Sequence, residues 1–317
     1  MLKIEVGIND GGQRTDRFLK KYFGNASLSH IYKMIRKDIK IEGKRQRPET
    51  ILSPGDILCV YISEEEGENL RKTKKVFAPV VRFHIAYEDE DMLIAEKPFG
   101  LLIHGDAGEK KNTLANQVLS YLKDRGEYAP EKENTFRPAP VNRLDRNTTG
   151  LVIFGKNAEA MKHLNRLIRE REGIRKYYLT IVYGRIKEPL RLCGRLEKDT
   201  QKNTVRVLGE ADKRGVNART IIKPIKVGGD FTLTEAELIT GRTHQIRAHL
   251  LSAGFPLIGD PKYGDPKINA EIKKRYGLST QLLHAYKLEI QGITVTTKLP
   301  DMFEKIKKEL IDVPGKI

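Results

Sequence analysis

The sequence predicts an α+β protein of two domains, a small one at residues 1–62 and a larger one at residues 83–317. A chain of 317 residues is longer than one hydrophobic core usually supports, and its 39% hydrophobic content is enough to fill two cores. Residues 63–82 change from an acidic to a basic cluster without apolar periodicity, which is typical of a linker. After them, short β-branched runs mix with a few amphipathic helices and lack the regular alternation of a doubly wound parallel sheet.

The small domain is predicted to contain two short helices and short strands. Its second helix, Leu28 to Lys37, has apolar residues at positions i, i+3 and i+7 and begins after Ser27, a suitable N-cap. The first helix is predicted at Arg14 to Phe23, and strands are predicted at Ile39 to Ile41 and Ile57 to Tyr61.

Periodicity in the larger domain predicts four helices and five strands. The helices are expected at Thr113 to Asp124, Asn157 to Glu172, Thr243 to Ser252 and Asp301 to Ile311, the last starting with an Asp301/Glu304 capping box. The strands are expected at Met92 to Glu96, Leu151 to Phe154, Tyr177 to Tyr183, Phe231 to Ile239 and Leu288 to Thr296.

The charge balance favours a polyanionic partner. Lys and Arg outnumber Asp and Glu by 58 to 42, giving a net charge of +16, and this makes nucleic acid the preferred partner, with an anionic membrane surface as the alternative on charge alone. The start of the chain lacks an apolar signal region, and no apolar run is long enough to cross a bilayer. We therefore expect a cytoplasmic protein that does not bind membrane, and a monomer.

The sequence contains no recognisable metal or cofactor motif. Cys59 and Cys193 are far apart, which argues against a disulfide framework or a cysteine-based zinc site. The seven histidines show no HExxH or comparable spacing, and neither a P-loop nor a dinucleotide fingerprint is present. We expect no cofactor and no metal.

A basic cluster spans the end of the second predicted helix and the following turn. Because the charges cross a helix end, they could converge on one phosphate-binding edge, although most charge runs are only solvated faces. The cluster consists of Lys33, Arg36, Lys37, Lys40, Lys44, Arg45 and Arg47.

The segment from residue 142 to 154 contains the strongest candidate for catalysis. It places Asp145 between Arg143 and Arg146 just before an apolar run, although a polar turn before a strand has the same appearance. A carboxylate that stays ionised while partly desolvated needs a fixed cation. The candidates are Arg143, Arg146 and Arg242, and Arg242 is preferred because it falls where a predicted strand hands over to a helix.

Four motifs together resemble the RluA/RluC/RluD-type pseudouridine synthases. They are the Lys97-Pro98-Phe99-Gly100 loop with His104, the Arg143-Leu144-Asp145 core, residues 176–184, and residues 241–247 with sequence Gly-Arg-Thr-His-Gln-Ile-Arg. The last motif favours this branch over RsuA-type synthases. Residues 12–62 resemble an S4 RNA-binding domain.

The resemblance implies an enzyme that isomerises uridine to pseudouridine in RNA, with 23S (large-subunit) ribosomal RNA as the expected substrate. It implies a catalytic domain built on a mixed, mostly antiparallel sheet with flanking helices, with Asp145 as the essential carboxylate and Arg242 as its partner. Tyr178 would stack on the flipped base and relay the proton from C5, and His104 would touch RNA phosphate along with Arg143. Asn142 departs from the histidine that is common at this position in the family.

Alternatives remain open from the residues alone. Asp145 could attack the sugar C1′, attack the base, or promote glycal formation. The chain could instead be a non-catalytic RNA-binding or ribosome-assembly protein, a tRNA pseudouridine synthase, or a glycosidic hydrolase, although no second acidic residue accompanies Asp145 within its motif.

Overall fold

The computed structural model of the protein describes residues 1–71, 77 and 79–313. Within these ranges, no helix has both the length and the apolar character needed to cross a membrane.

The N-terminal domain is a four-stranded antiparallel sheet covered by helices. Apolar side chains of the two longer helices, such as Phe18, Leu19 and Ile31, are fully buried against Leu58 and Val60 of the sheet. The strand order is β1-β4-β2-β3. The elements are β1 (Leu2–Glu5), α1 (Thr15–Tyr22), α2 (Leu28–Lys37), β2 (Ile39–Ile41), β3 (Lys44–Arg45), β4 (Ile57–Val60) and α3 (Glu64–Leu70), with a 3-10 turn at Ile8–Asp10.

The helix α3 lies where the sequence predicted a linker. The Ser63 hydroxyl accepts a hydrogen bond from the backbone N–H of Glu66 at 3.1 Å, and three glutamates in the first turn stabilise the positive end of the helix dipole. Leu70 packs against the core of the N-terminal domain. The segment predicted as a linker therefore contains a helix at Glu64–Leu70, and its basic part at residues 72–76 lies outside the described residues.

The larger domain is built on an eleven-stranded mixed sheet flanked by helices. The order is β11-β10-β12-β13-β9-β14-β8-β6-β5, with β15 beside β14 and β7 beside β8, and only the β14–β8 pair is parallel among the described strands. The strands are β5 (His84–Glu88), β6 (Met92–Lys97), β7 (Ala139–Pro140), β8 (Thr149–Gly155), β9 (Ile174–Tyr183), β10 (Leu190–Asp199), β11 (Thr204–Leu208), β12 (Val216–Gly228), β13 (Phe231–Leu238), β14 (Leu283–Ile290) and β15 (Ile293–Thr296). The helices are α4 (Leu114–Asp124), α5 (Ala158–Glu170), α6 (Gln245–Ser252), α7 (Pro266–Tyr276) and α8 (Asp301–Lys307), followed by a π-helical turn at Lys308–Asp312. The predicted α+β class with a mostly antiparallel sheet is confirmed.

Strand β8 lies at the centre of the packing because both of its faces are buried. Val152 and Phe154 join the apolar cluster of α4, whereas Leu151 and Ile153 join Leu164 of α5 on the opposite face. Alternate side chains of a strand point to opposite faces, so the unbroken apolar run requires cover on both sides.

Several boundaries differ from the predictions. The predicted strand Leu288 to Thr296 is two strands, because Gln291 and Gly292 adopt positive φ values of 47° and 84° and form a tight turn. The capping box at Asp301 is wrong, since Pro300 is the N-cap and makes no side-chain hydrogen bond. Helix α7 was missed although Asp265 caps its N-terminus and Pro266 occupies its first turn.

Two buried histidines predict acid sensitivity of the fold. His249 and His284 each use Nδ1 to contact a threonine hydroxyl, at 2.9 Å and 2.7 Å, and their Nε2 atoms are buried and make no hydrogen bond of normal geometry within the described part of the chain. Burial lowers the pKa of each to about 4, and at His284 the backbone of Lys298 opposes this shift only in part.

We expect the free energy of unfolding to fall as the pH drops below 6.5. Between that pH and about pH 4, the two histidines are protonated in the unfolded chain but stay neutral in the folded protein. Each histidine contributes a slope of up to about 1.4 kcal/mol per pH unit in that window. Urea unfolding at several pH values measures the slope. His249→Gln and His284→Gln should reduce it, and the exposed His84→Gln should not; equal slopes in all variants would contradict the expectation.

Candidate active site

Asp145 lies in the loop that leads into β8 and is accessible from solvent. Its side chain is 28% exposed, and its carbonyl accepts a hydrogen bond from the backbone N–H of Thr148 at 3.0 Å to close a turn. Asn142, at the start of this loop, accepts from the N–H of Ile153 at 2.8 Å and donates to the carbonyl of Leu151 at 3.3 Å. The side-chain amide thus forms one accepted and one donated hydrogen bond with the β8 backbone, as a neighbouring strand would. This side chain, which replaces the usual family histidine, orients the loop through the β8 backbone.

Lys97 holds the same loop in place from the protein interior. Its ammonium is fully buried and donates to the carbonyls of Pro98, Leu101 and Arg146 at 3.1, 2.7 and 2.8 Å. Burial lowers the pKa of Lys97 to about 7, and the negative charge of Asp145 opposes this shift. Lys97 therefore ties the residue that follows Asp145 to the 98–101 loop. It serves the site from within the protein, and does not face an RNA phosphate.

Arg247 holds the Asp145 carboxylate. Nη1 of Arg247 donates to Oδ2 of Asp145 at 2.9 Å, while its Nε and Nη2 donate to the two oxygens of Asp260 at 2.6 and 2.8 Å. Asp260 is fully buried, and Oδ1 also accepts from the N–H groups of Lys262 and Tyr263. Burial works against the charge on Arg247, but Asp260 and Asp145 offset it and raise the pKa of the guanidinium.

The prediction that Arg242 pairs with Asp145 is wrong. Arg242 is exposed, and its Nε donates to the backbone carbonyl of Asn217 at 3.3 Å, although the residue lines the same pocket as Asp145. The helix begins at Gln245, two residues later than predicted, because His244 adopts a left-handed conformation with φ 52°. Arg247, in the first turn of α6, therefore takes the role.

Asp260 was not among the residues that the sequence indicated. Asp260 is the second carboxylate that the fold brings towards Asp145, but both of its oxygens are occupied by Arg247 and the residue is fully buried. It is a positioning residue and is not available as an acid or base. The sequence signal for this role is the acidic residue of the Gly259-Asp260-Pro261 turn. Its carboxylate can accept hydrogen bonds from neighbouring N–H groups, as aspartate often does in turns, and can pair with a cation at the same time.

Tyr178 lines the pocket that contains Asp145. It is 4% exposed and lies on β9, opposite Ala236 and Ala285, two small residues that leave room above the sheet. Burial, followed by the negative charge of Asp145, raises the pKa of Tyr178, so the phenol stays protonated near neutral pH. Tyr177 faces the other side of the sheet, where its hydroxyl donates to Glu289 at 3.0 Å.

His244 completes one wall of the pocket. Its Nδ1 lies 3.0 Å from the Tyr263 hydroxyl, and its Nε2 lies 4.0 Å from Oδ2 of Asp145. The Tyr263 oxygen already accepts from the N–H of Val205 at 2.6 Å, so its own proton is donated to Nδ1. The neutral ring then carries its proton on Nε2, towards Asp145. Burial lowers the pKa of His244, while Asp145 opposes the shift.

The remaining predicted residues lie at the rim or in the N-terminal domain. Arg143 is exposed and lines the pocket. Desolvation lowers the pKa of His104, and the positive charges of Arg143 and Arg137 lower it further. In the N-terminal domain, Lys40 lies over the Tyr61 ring at 5.4 Å. Five of the predicted RNA-binding cations there are exposed and have no carboxylate within 4 Å among the described residues, namely Lys33, Arg36, Lys37, Lys44 and Arg45.

Comparison with known proteins identifies the family of this chain. The profile of the family described as RNA pseudouridylate synthase matches residues 91–252, which include Asp145, Tyr178 and Arg247. The chain belongs to the RNA pseudouridylate synthase family. It is an RNA pseudouridine synthase, as the motifs predicted.

Relatives and solved structures match most of the chain. A ribosomal large subunit pseudouridine synthase C from Buchnera aphidicola is 30% identical over 97% of this chain and 97% of the relative. One of the same description from Vibrio parahaemolyticus is 30% identical over 91% and 88%. The solved structure of human RNA pseudouridylate synthase domain containing 4 has a TM-score of 0.58 and 21% identity, covering 73% of this chain and 94% of that chain, and so shares the fold.

Arg247→Lys should reduce the single-turnover rate by about a hundredfold or more, because an ammonium lacks the planar fork that pairs with both oxygens of Asp260 while a further N–H reaches Asp145, and breaking a buried pair costs about 3–5 kcal/mol. Arg242→Lys is the matched control and should stay within a few-fold of wild type. Single-turnover pseudouridine formation measures both. Comparable losses in the two variants would contradict the pairing geometry.

Lys97→Met should destabilise the protein by about 2–4 kcal/mol, because the carbonyls of Pro98, Leu101 and Arg146 lose their shared buried donor. Lys97→Arg, which keeps the charge but is larger, should rescue little. Thermal unfolding measures the change, and Lys123→Met on the exposed side of α4 is the control. A Lys97→Met variant as stable as wild type would show that the carbonyls find other donors.

Proposed function

We propose that this pseudouridine synthase modifies uridines of large-subunit ribosomal RNA, with Asp145 as its catalytic carboxylate. The observation that carries the proposal is the 2.9 Å pair between Asp145 and Arg247 inside a pocket that also contains Tyr178. The ribosomal substrate is supported by relatives named large subunit synthases that match nearly the whole chain. A ribosomal substrate also supports a cytoplasmic location, and we expect a monomer.

Each residue of the pocket has a distinct part in the proposal. The N1–C1′ bond of the target uridine breaks, the uracil rotates, and C5 joins C1′, so that C5 loses a proton and N1 gains one. Asp145 is kept ionised by Arg247 and faces the reacting sugar and base. The protonated phenol of Tyr178 offers an aromatic face to the extruded base, worth about 1–3 kcal/mol of stacking, and lies close enough to Asp145 to take part in the proton transfer at C5.

The N-terminal domain is proposed to be an S4-like RNA-binding domain. The support is its cations on α2 and the β2–β3 hairpin, namely Lys33, Arg36, Lys37, Lys40, Lys44 and Arg45. Arg143 and His104 at the rim of the pocket are proposed to contact phosphates next to the target uridine. No step requires a cofactor or a metal, because the isomerisation transfers neither electrons nor a phosphoryl group.

Asp145→Asn should abolish pseudouridine formation while leaving RNA affinity within a few-fold of wild type, because the amide keeps the shape and loses the ionised oxygen. Tritium release from large-subunit ribosomal RNA transcript carrying 5-tritiated uridine is the measurement. Asp230→Asn, a surface carboxylate paired with Arg185, is the control and should keep full activity. Turnover by Asp145→Asn at more than a small fraction of the wild-type rate would refute the assignment.

A further inference from the structure

Hydrogen bonds centred on a buried aspartate dock the N-terminal domain on the catalytic domain, beside bonds from Asn9 to Glu133, from Gln13 to Thr135 and from Asn134 to the Glu5 carbonyl. Asp10 is fully buried and accepts from the N–H groups of Asn134, Thr135 and Phe136 at 3.1, 2.8 and 3.2 Å and from the Thr135 hydroxyl at 2.6 Å. Its neighbour Asn9 accepts from the N–H of Ala158, the first residue of α5, at 3.0 Å. A buried carboxylate with four donors is costly to separate, so the two domains hold a fixed relative position.

This docking creates a cleft between the domains with a volume of about 800 Å³. One wall is the exposed face of α5, the other is the loop before α1 together with Lys21, and the 135–137 segment forms the floor. Across the cleft, Nζ of Lys162 lies against Gly12 of the N-terminal domain, so closely that a Cβ on this glycine would meet it at 2.6 Å. The cleft therefore depends on both domains.

The cleft is strongly basic. Its lining includes Lys21, Arg137, Lys162, Arg166 and Arg169, against the carboxylate of Glu159. Lys21, Arg137 and Lys162 have no carboxylate within 4 Å among the described residues. Arg166 and Arg169 both pair with Glu170, at 4.0 and 3.3 Å, and these two ion pairs are exposed to solvent. Cations held close together on two rigid walls repel one another, and a bound anion relieves this repulsion.

The cleft is separated from the catalytic pocket by the length of one strand. Helix α5 follows the end of β8, whereas Asp145 precedes its start, and the seven residues of β8 span ~20 Å. Arg137 of the cleft and Arg143 of the pocket both lower the pKa of His104 after the larger effect of burial, so this histidine lies within the electrostatic influence of both sites. A ligand that occupies both sites must extend over at least this distance.

We infer that the interdomain cleft is a second RNA site, which binds the phosphate backbone of a folded substrate at a distance from the target uridine. This inference rests on the proposed function, because it takes the ligand of the pocket and of the cleft to be one RNA. A short oligonucleotide in the pocket does not reach the cleft, whereas a large folded RNA fills both. The cleft thus makes binding depend on RNA size and on domain docking.

The test compares a cleft variant with a matched variant elsewhere. The cleft variant combines Lys162→Gln, Arg166→Gln and Arg169→Gln on the exposed face of α5, and the control combines Lys267→Gln, Lys273→Gln and Lys274→Gln on the exposed face of α7. Both lose three positive charges. The probes are a large-subunit ribosomal RNA transcript and a short oligouridylate. The slope of log affinity against log salt on the transcript should fall by about 2 to 3 in the cleft variant and stay unchanged in the control.

A further variant distinguishes the effect of domain docking from the effect of net charge. Asp10→Ala removes a negative charge, so general electrostatics predicts tighter binding, whereas loss of docking predicts severalfold weaker binding to the transcript and unchanged binding to the oligouridylate. Small-angle scattering of the same variant reports whether the domains have separated. Should Asp10→Ala fail to fold, the triple variants carry the test alone.

Two results would overturn the inference: a wild-type salt slope in the cleft variant, or an equal drop in slope in the α7 control. Failure of the proposed function looks different. The wild-type enzyme would then release no tritium from the transcript, whereas the difference in slope between the two triple variants would persist and the cleft would still be an RNA site.

Discussion

The active site depends on one guanidinium shared between two carboxylates. Arg247 reaches from α6 to Asp145 before β8, and is aligned by Asp260 in the turn before α7. Three segments that are far apart in the sequence therefore meet at one charge. Removing Asp260 would leave Arg247 free to rotate, and removing Arg247 would leave two carboxylates close together without a cation, so each group is stable in its place only while the other two are present.

The sequence predicted the positions of residues that depend only on neighbouring residues in a strand. It failed where the direction of a side chain depends on the residue at which a helix begins. Asp145 and Tyr178, which were predicted from motifs at a strand entry and on a strand, line the same pocket, and strand alternation places Tyr177 on the opposite face. Arg242 was preferred because it falls where the predicted strand hands over to a helix expected to begin at Thr243, and Arg247 was not among the candidates. The left-handed conformation of His244 shifts the helix start, and a non-glycine residue gives little warning of positive φ.

The fold was predictable where one face of an element is buried. The helices α1, α2 and α5 show this periodicity and were found within a few residues. The arm formed by β10, β11 and β12 was not found, because several of its buried positions hold small or polar residues such as Gly194, Ala218 and Thr220, so the alternation of burial along β10 and β12 is not matched by an alternation of hydrophobicity. Helix α3 was missed for a related reason, since its seven residues contain four glutamates and its single apolar contact is Leu70.

The aspartate that docks the domains also has a consequence for biosynthesis. During translation the N-terminal domain leaves the ribosome first and can fold around its own core, but the donors that Asp10 needs are more than 120 residues further along the chain. Until they emerge, this carboxylate is hydrated, and the Asn9 side chain lacks its partner, the backbone N–H of Ala158. Docking is therefore a late event in folding, and a nascent chain halted before residue 134 would present to chaperones a folded N-terminal domain with a hydrated Asp10, followed by a catalytic segment that still lacks β8 of its core.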